Sequence, residues 1–141
     1  MDKFKHMPKE FWPNECDHIE YSEVYRATKH ANELKVDDFL PLNIEHHNQM
    51  KTFKNQFKKP HFGLSLFTNL ESLKNKVDSL PVLNDSTNAY AKGFTTIKRG
   101  ISTKENKEHH VEYFLYDYEN NSPKDDFSKV CISTVDLKSG G

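Results

Sequence analysis

Short runs rich in β-branched and aromatic residues predict the strands of a sheet. The first run spans residues 19–28, and from Val24 onward it alternates, so that Val24 and Arg26 share one face while Tyr25 and Ala27 share the other. Later runs predict a strand at 61–68, a β-hairpin with a long connection from 89–100 and 109–119, and a last strand at 127–135. Both faces of the run at 109–119 carry large apolar residues, so we expect this strand inside the sheet rather than at its edge.

Apolar residues that recur every three or four positions predict helices. Thr28 has the chemistry of an N-cap for a short helix through Ala31 and Leu34. A second helix is predicted over about residues 44–58, and Pro60 ends it. Its apolar stripe consists of Ile44, His47, Met50, Phe53 and Phe57.

A third helix is predicted directly after the strand at 61–68. Thr68 and Glu71 have the spacing of a capping box at its start, and Leu80-Pro81 ends it before a polar loop. The predicted buried stripe of this helix consists of Leu70, Leu73 and Val77. Together these elements predict an α+β fold, with a small, twisted, mainly antiparallel sheet of about five strands and two to three helices.

A chain of 141 residues suits one domain, which can bury a core without disulfide bonds. We expect an irregular N-terminal arm at 1–18 whose aromatics pack onto the body, a single α+β domain at 19–136 and a flexible tail at 137–141. Cys16 and Cys131 belong to no CxxC motif, which is typical of reduced thiols in the cytoplasm. No apolar run approaches the roughly 18 residues of a membrane span, so we expect neither an anchor nor a signal peptide.

Basic and acidic side chains number 20 and 21 and are well mixed, which leaves a formal net charge of −1. A chain without a field of one sign has no general attraction for nucleic acid or anionic lipid, so we expect neither as a partner. A lysine cluster in and directly after the second predicted helix is interpreted either as a local basic groove or as a solvated helix face. The cluster consists of Lys51, Lys54, Lys58 and Lys59.

The motifs of common enzyme families are absent, since the chain has no P-loop, GxGxxG, HExxH or GxSxG sequence. Paired histidines suggest a metal, but His109 and His110 would point to opposite faces of a strand. His110 and Glu112 would share a face, yet no third and fourth ligand follow at a fixed spacing, so we expect no metal.

Three polar residues interrupt predicted strands that are otherwise apolar: Arg26, Ser65 and Glu112. Because buried polar groups need partners, two interpretations stay open. Either Arg26 and Glu112 form an ion pair or lie at a wet rim, or all three residues line one cleft. In the second case Arg26 would bind a pyrophosphate or a ribose and Ser65 would bond the nicotinamide ribose. Glu112 would then stabilise an oxocarbenium-like centre, which is chemistry on NAD.

An arginine on a first strand, a serine-bearing strand that feeds a helix and a glutamate on a late strand resemble the Arg-Ser-Glu arrangement of the ADP-ribosyltransferase fold. The segment FGLSLFTNLESLK is similar to the part of that superfamily in which a glycine and an aromatic strand lead into a helix behind the nicotinamide pocket. The resemblance implies NAD binding, with Glu112 and Ser65 as catalytic residues and Arg26 as a cofactor-binding residue. Further residues at the implied NAD site are Tyr25, Gly63, Phe67 and His110.

Two positions depart from that arrangement. The second strand has Ser-Leu-Phe-Thr where the arginine-type enzymes have Ser-Thr-Ser, and His110 stands two residues before Glu112, where those enzymes have an acidic or amide residue. The resemblance implies a compact bacterial toxin or phage-defence effector.

Two further functions stay open on the sequence. A non-catalytic module of a toxin-antitoxin or defence complex would contact a protein partner through exposed aromatics, the usual anchors of such surfaces. Those aromatics are Phe11, Trp12, Tyr116 and Tyr118. The terminal Gly140-Gly141 is also typical of a ubiquitin-like modifier or conjugation substrate, or else it is an ordinary flexible end.

Overall fold

A six-stranded antiparallel sheet organises the described part of the chain. The computed structural model describes residues 4–41 and 62–130. The strands are β1 (Val24–Thr28), β2 (Leu64–Phe67), β3 (Ala89–Gly93), β4 (Gly100–Ser102), β5 (His110–Leu115) and β6 (Phe127–Lys129), and the helices are α1 (Leu70–Ser79) and α2 (Pro81–Ser86). Short 3-10 turns occur at Lys9–Phe11, Glu15–Asp17, Val36–Phe39 and Pro123–Asp126. This architecture confirms the predicted α+β class with a mainly antiparallel sheet.

The sheet is nearly split between β1 and β2. Its strand order is β4-β5-β2-β1-β3-β6. β1 pairs with β3 through five residues and β2 pairs with β5 through four, whereas β1 and β2 share only the pair Tyr25–Phe67. Two three-stranded halves therefore meet at one point, and the backbone groups beside that point need other partners.

β5 lies between β4 and β2, which confirms that this strand is interior. The predicted hairpin is only partly right, because residues 89–100 form two strands rather than one. The N–H groups of Arg99 and Gly100 both donate to the carbonyl of Thr96, and this turn separates β3 from β4. β4 pairs with β5 as a hairpin partner, while β3 pairs with β1 and β6.

Strand alternation gives the sheet two apolar faces. One face carries the largest buried cluster, which consists of Val24, Phe39, Leu64, Leu66, Ala91, Val111, Tyr113, Leu115 and Phe127. On the opposite face, α1 packs Leu73 and Val77 against Phe67. The N-terminal arm covers another part of that face by packing Phe4 against Phe114. The area between these two covered parts is where the cavity described below lies.

Helix α1 begins with a different cap from the predicted one. The side chain of Asn69 accepts a hydrogen bond from the backbone N–H of Ser72, so Asn69 is the N-cap. The predicted capping box of Thr68 and Glu71 is therefore wrong. The Thr68 hydroxyl instead donates to Oε2 of Glu105 at 2.6 Å, because the loop before β5 lies beside the end of β2.

The prediction of a short helix capped by Thr28 is also wrong. Thr28 is the last residue of β1, and Asp38 organises the chain that follows it. The buried carboxylate of Asp38 accepts hydrogen bonds from the backbone N–H groups of Lys29, His30 and Lys35. Such side chain-to-backbone bonds compete with helical hydrogen bonds, so this segment forms a turn.

Helix α1 ends at Leu80-Pro81 as predicted, with Leu80 as its C-cap, but the chain does not continue as a loop. Pro81 is the first residue of α2, a position where the missing N–H of proline needs no partner and its fixed φ suits a helix. The N–H of Asn84 donates to the carbonyl of Leu80 at 2.9 Å and closes the first turn. The predicted polar loop therefore begins with a second short helix.

The aromatics of the N-terminal arm pack onto the body as predicted. Phe11, Trp12 and Tyr116 are half-buried against one apolar cluster, and Tyr118 packs against the main core. Trp12 also donates its ring N–H to the carbonyl of Met7 at 2.9 Å. The expectation that these four aromatics are exposed is therefore only partly right, because each keeps only part of its surface accessible.

Some predicted features lie outside the described residues: the helix over 44–58 with its lysine cluster, residues 131–135 of the last strand, and the Gly140-Gly141 end. Cys16 is an exposed free thiol. Within the described ranges, no helix combines the length and the apolar content that crossing a bilayer requires.

The apolar stripe of α1 is packed as its periodicity predicts, with Leu73 and Val77 buried. We expect Leu73→Ala to lower the free energy of unfolding by about 2–5 kcal/mol, because it removes buried methyl groups and leaves a cavity. The exposed Asn75→Ala on the same helix should change it by about 0.5 kcal/mol or less. Chemical denaturation of the three proteins measures both effects, and equal midpoints for wild type and Leu73→Ala would contradict this packing.

Candidate active site

A concave cavity of about 340 Å³ lies where β1, β2 and β5 meet the two helices. Small-molecule sites have volumes of roughly 300–1,000 Å³, so this cavity falls at the lower end of that range. Its apolar wall includes Leu40, Phe67, Leu73, Leu80 and Leu83, and its polar wall includes Arg26, Ser65, His110 and Glu112. Both the volume and the mixed lining are typical of a site for a small molecule.

Arg26, Ser65 and Glu112 are far apart in the sequence, and all three line this cavity. Their strands are neighbours in the order β5-β2-β1. Ser65 lies directly opposite Glu112 in the pairing of β2 with β5. The fold therefore brings together the three polar strand residues that the sequence singles out.

Arg26 reaches the cavity through the gap between the two halves of the sheet. In the alternation of β1, the side chain of Arg26 starts from the same face as that of Val24. Ser65 and Glu112 project from the opposite face. The guanidinium of Arg26 lies in the gap, where Nη1 donates to the carbonyl of Ser65 at 2.9 Å and Nε donates to the carbonyl of Asp38 at 2.6 Å. These bonds satisfy strand and turn carbonyls and hold a positive charge at the cavity wall.

The carboxyl group of Glu112 is mostly buried, with about 21 % of the side chain exposed. Burial raises its pKa to about 8, and the positive charge of Arg26 opposes part of that rise. The group lies against Gly63, where an added Cβ would come within 2.7 Å of Oε2. Glycine at position 63 therefore leaves the space in which the carboxyl group of Glu112 sits.

Ser65, His110 and Glu112 form a continuous polar cluster. The Oγ of Ser65 and the Nε2 of His110 are 2.6 Å apart, and the same Nε2 lies 3.5 Å from Oε1 of Glu112. In a serine hydrolase the acid bonds the other ring nitrogen and orients the imidazole. Because both contacts here use Nε2, this cluster is not arranged as such a triad.

Burial lowers the pKa of His110, and the nearby charge of Lys76 lowers it further. The imidazole is therefore neutral at neutral pH. Its ring packs edge-on against Phe67, with centroids 5.1 Å apart, which sets its orientation at the cavity wall.

Of the further residues implied for an NAD site, Gly63, Phe67 and His110 line the cavity. Tyr25 is not among the lining residues. It packs beside Phe67 in the cluster under α1, and burial followed by its hydrogen bond with Glu23 raises its pKa.

Several lining residues do not stand out in the sequence. The periodicity of α1 could have indicated that Leu80 shares the wall with Leu73, but Leu40 and Leu83 come from segments whose position depends on the whole fold. Thr28 also lines the cavity, and its buried Oγ1 has no hydrogen-bond partner among the described residues. An unsatisfied buried hydroxyl costs about 1–3 kcal/mol, so it is an unusual feature of a cavity wall.

In the described ranges, the one group of three potential metal ligands consists of His30, Asp37 and Asp38. The carboxylate of Asp38 already accepts three backbone N–H groups, and His30 bonds Asp37 at 2.8 Å. These hydrogen bonds give the three side chains a structural role in the turn after β1 rather than a role as metal ligands. His110 and Glu112 share a face as predicted, but no third ligand joins them in the described part of the chain.

Comparison with known proteins found no relative of this chain: no family model, no curated protein and no solved structure matches it. The site must therefore be interpreted from its own geometry.

The buried carboxyl group makes stability depend on pH. Below about pH 4.5 Glu112 is neutral in both folded and unfolded chains, so its contribution to stability is fully present. As the pH rises towards about 8 the unfolded chain loses this proton first, so stability falls and then levels off. We expect Glu112→Gln to become more stable than wild type across this window, by about 2–4 kcal/mol at pH 9.

Urea denaturation of both proteins from pH 5 to pH 9 measures the difference. The exposed Glu33→Gln is the matched control and should keep the pH slope of wild type. Parallel curves for wild type and Glu112→Gln would show that this carboxyl group is not buried in neutral form.

Proposed function

We propose that the cavity binds NAD and breaks the bond between its nicotinamide and ribose, in the manner of an ADP-ribosyltransferase-like enzyme. The observation that carries this proposal is the meeting of Arg26, Ser65 and Glu112 in one cavity on three adjacent strands. The resemblance implies this arrangement, and its three residues come from three separate segments of the sequence.

Glu112 suits the role of the catalytic carboxylate. When nicotinamide departs, positive charge develops on the ribose carbon, and a carboxylate beside that carbon stabilises it. The interaction is strong in a buried site, where the effective dielectric constant is low. The same burial that raises the pKa of Glu112 therefore makes its ionised form an effective stabiliser of positive charge.

NAD carries a positive charge on its nicotinamide ring, and in the cavity this charge would favour ionisation of Glu112. A cation near Glu112 favours the ionised carboxylate, as the charge of Arg26 already does to a smaller extent. Substrate binding would therefore favour the catalytic form of Glu112 and release a proton at neutral pH.

The remaining walls fit the other parts of NAD. The apolar surfaces of Phe67, Leu73 and Leu80 suit a flat nicotinamide ring. The fixed positive charge of Arg26 attracts the pyrophosphate. Ser65, which contacts His110 and lies opposite Glu112, would bond the nicotinamide ribose.

A small enzyme with this activity would consume NAD or modify a protein target. Either outcome suits a bacterial toxin or a phage-defence effector, which is what the resemblance implies. The alternative of a non-catalytic interaction module would depend on four aromatics that are partly buried against the core.

Glu112→Gln keeps the size of the side chain and removes its charge, so it should keep the fold. We expect wild type to release nicotinamide from NAD and Glu112→Gln to release it at least about 100-fold more slowly, because charge stabilisation is lost. Nicotinamide release followed by liquid chromatography measures both rates. Glu33→Gln, which lies outside the cavity, should retain the wild-type rate.

Binding is measured separately by thermal shift. NAD at about 100 times its dissociation constant would stabilise the folded protein by about 2.7 kcal/mol, which raises the melting temperature by several degrees. Absence of both the shift and nicotinamide release in wild type would reject the proposed function.

Gly63→Ala tests whether the space beside Glu112 matters. The added methyl group would meet Oε2 of Glu112, and a flexible carboxyl end is able to move away, so the fold should persist. We expect nicotinamide release to fall at least about tenfold, because positioning of the carboxylate is lost. In the Glu112→Gln background the same change should have little further effect, since the two act through one group. Independent, multiplicative losses would contradict that coupling.

A further inference from the structure

The polar cluster at the cavity contains one group to which the proposed function assigns no chemical role. His110 stands between Ser65 and Glu112, with Nε2 at 2.6 Å from Oγ and at 3.5 Å from Oε1. Its neighbour in sequence, His109, lies outside the cavity and contacts Glu105 instead. The two adjacent histidines therefore differ sharply in their surroundings.

The protonation state of His110 suits a base. Burial and Lys76 lower its pKa, so its imidazole is neutral at neutral pH and one ring nitrogen has a free electron pair. If Nδ1 carries the proton, Nε2 accepts the hydrogen bond from the hydroxyl of Ser65. That hydroxyl oxygen keeps a lone pair with which to accept a further hydrogen bond from a group in the cavity.

We propose that His110 is the general base of the reaction and that it acts through Ser65 on an acceptor that is water or an alcohol hydroxyl. This inference rests on the proposed function. Glu112 then has the separate task of stabilising positive charge, and it need not take up the proton of the acceptor.

The step balances in atoms and charge. The bond between the ribose carbon and nicotinamide breaks, and its electron pair neutralises the positive ring nitrogen of nicotinamide. A lone pair of the acceptor oxygen forms the new bond to the ribose carbon. The acceptor proton moves to Oγ of Ser65 while the proton of Ser65 moves to Nε2 of His110, which later releases it to solvent.

An oxygen acceptor follows from this relay. A hydroxyl that attacks carbon must lose its proton, and proton removal by a positioned base typically contributes a factor of about 10²–10⁴. Water is the simplest such acceptor, so hydrolysis of NAD provides an assay that needs no knowledge of the target.

His110→Asn and His109→Asn form a matched pair of variants. Asn also tolerates the positive φ of 65° at His109, so the control substitution should not strain the loop. We expect His110→Asn to lower kcat for NAD hydrolysis about 100-fold or more while KM for NAD stays within about threefold, because the base is lost and the binding walls remain. His109→Asn should stay within about twofold of wild type in both constants.

Imidazole rescue separates a base from a structural residue. Added imidazole should raise the rate of His110→Ala at least about tenfold, since it replaces the missing group, and it should not raise the rate of Glu112→Gln. A second readout uses the protein without NAD. Nitrogen chemical shifts of the His110 ring at pH 7.5 should show an unprotonated Nε2, and Ser65→Ala should shift that resonance.

The outcomes distinguish the two proposals. If wild type neither binds nor hydrolyses NAD, the proposed function fails and the role of His110 fails with it. If wild type is active and His110→Asn and His110→Ala keep rates within about threefold of it, only the role of His110 is overturned. A loss of rate without imidazole rescue, or a protonated Nε2, also overturns that role while leaving the proposed function intact.

Discussion

The gap between β1 and β2 is the constraint on which the candidate site depends. A sheet paired along its whole length would satisfy the carbonyl of Ser65 with a strand N–H and leave no room for a side chain. Here the two strands share only the pair Tyr25–Phe67, and the guanidinium of Arg26 takes over that carbonyl. The same gap lets a residue of one sheet face reach a cavity lined by residues of the other.

The site also contains groups that do not favour the folded state. Glu112 loses hydration on burial, and the hydroxyl of Thr28 is buried without a partner among the described residues. Well-packed proteins rarely keep such features unless function needs them. Other polar groups have clear structural roles: Asp38 holds a turn through three backbone N–H groups, and Arg99 pairs with Asp126 beside β6.

Local patterns were enough to single out the three polar strand residues of the candidate site, but they predicted neither its geometry nor all of its lining. Arg26, Ser65 and Glu112 stand out because each is polar within a short apolar strand, and the periodicity of α1 identifies Leu73 as buried. The order in which strands pair depends on contacts between distant segments, so the split sheet could not be predicted. The error at Thr28 and the missed helix that begins at Pro81 have the same origin, since Asp38 and the packing of α2 decide those segments.

The position of the cavity follows from what covers one face of β5. That face carries every second residue of β5, namely His110, Glu112 and Phe114. The N-terminal arm covers Phe114 with Phe4, and His110 packs against Phe67 at the end of β2. Glu112 lies between these two covered positions, where Gly63, directly before β2, has no side chain to fill the space. The carboxyl group is therefore enclosed on both sides while remaining open to the cavity, and this combination is what raises its pKa and leaves it able to meet a ligand.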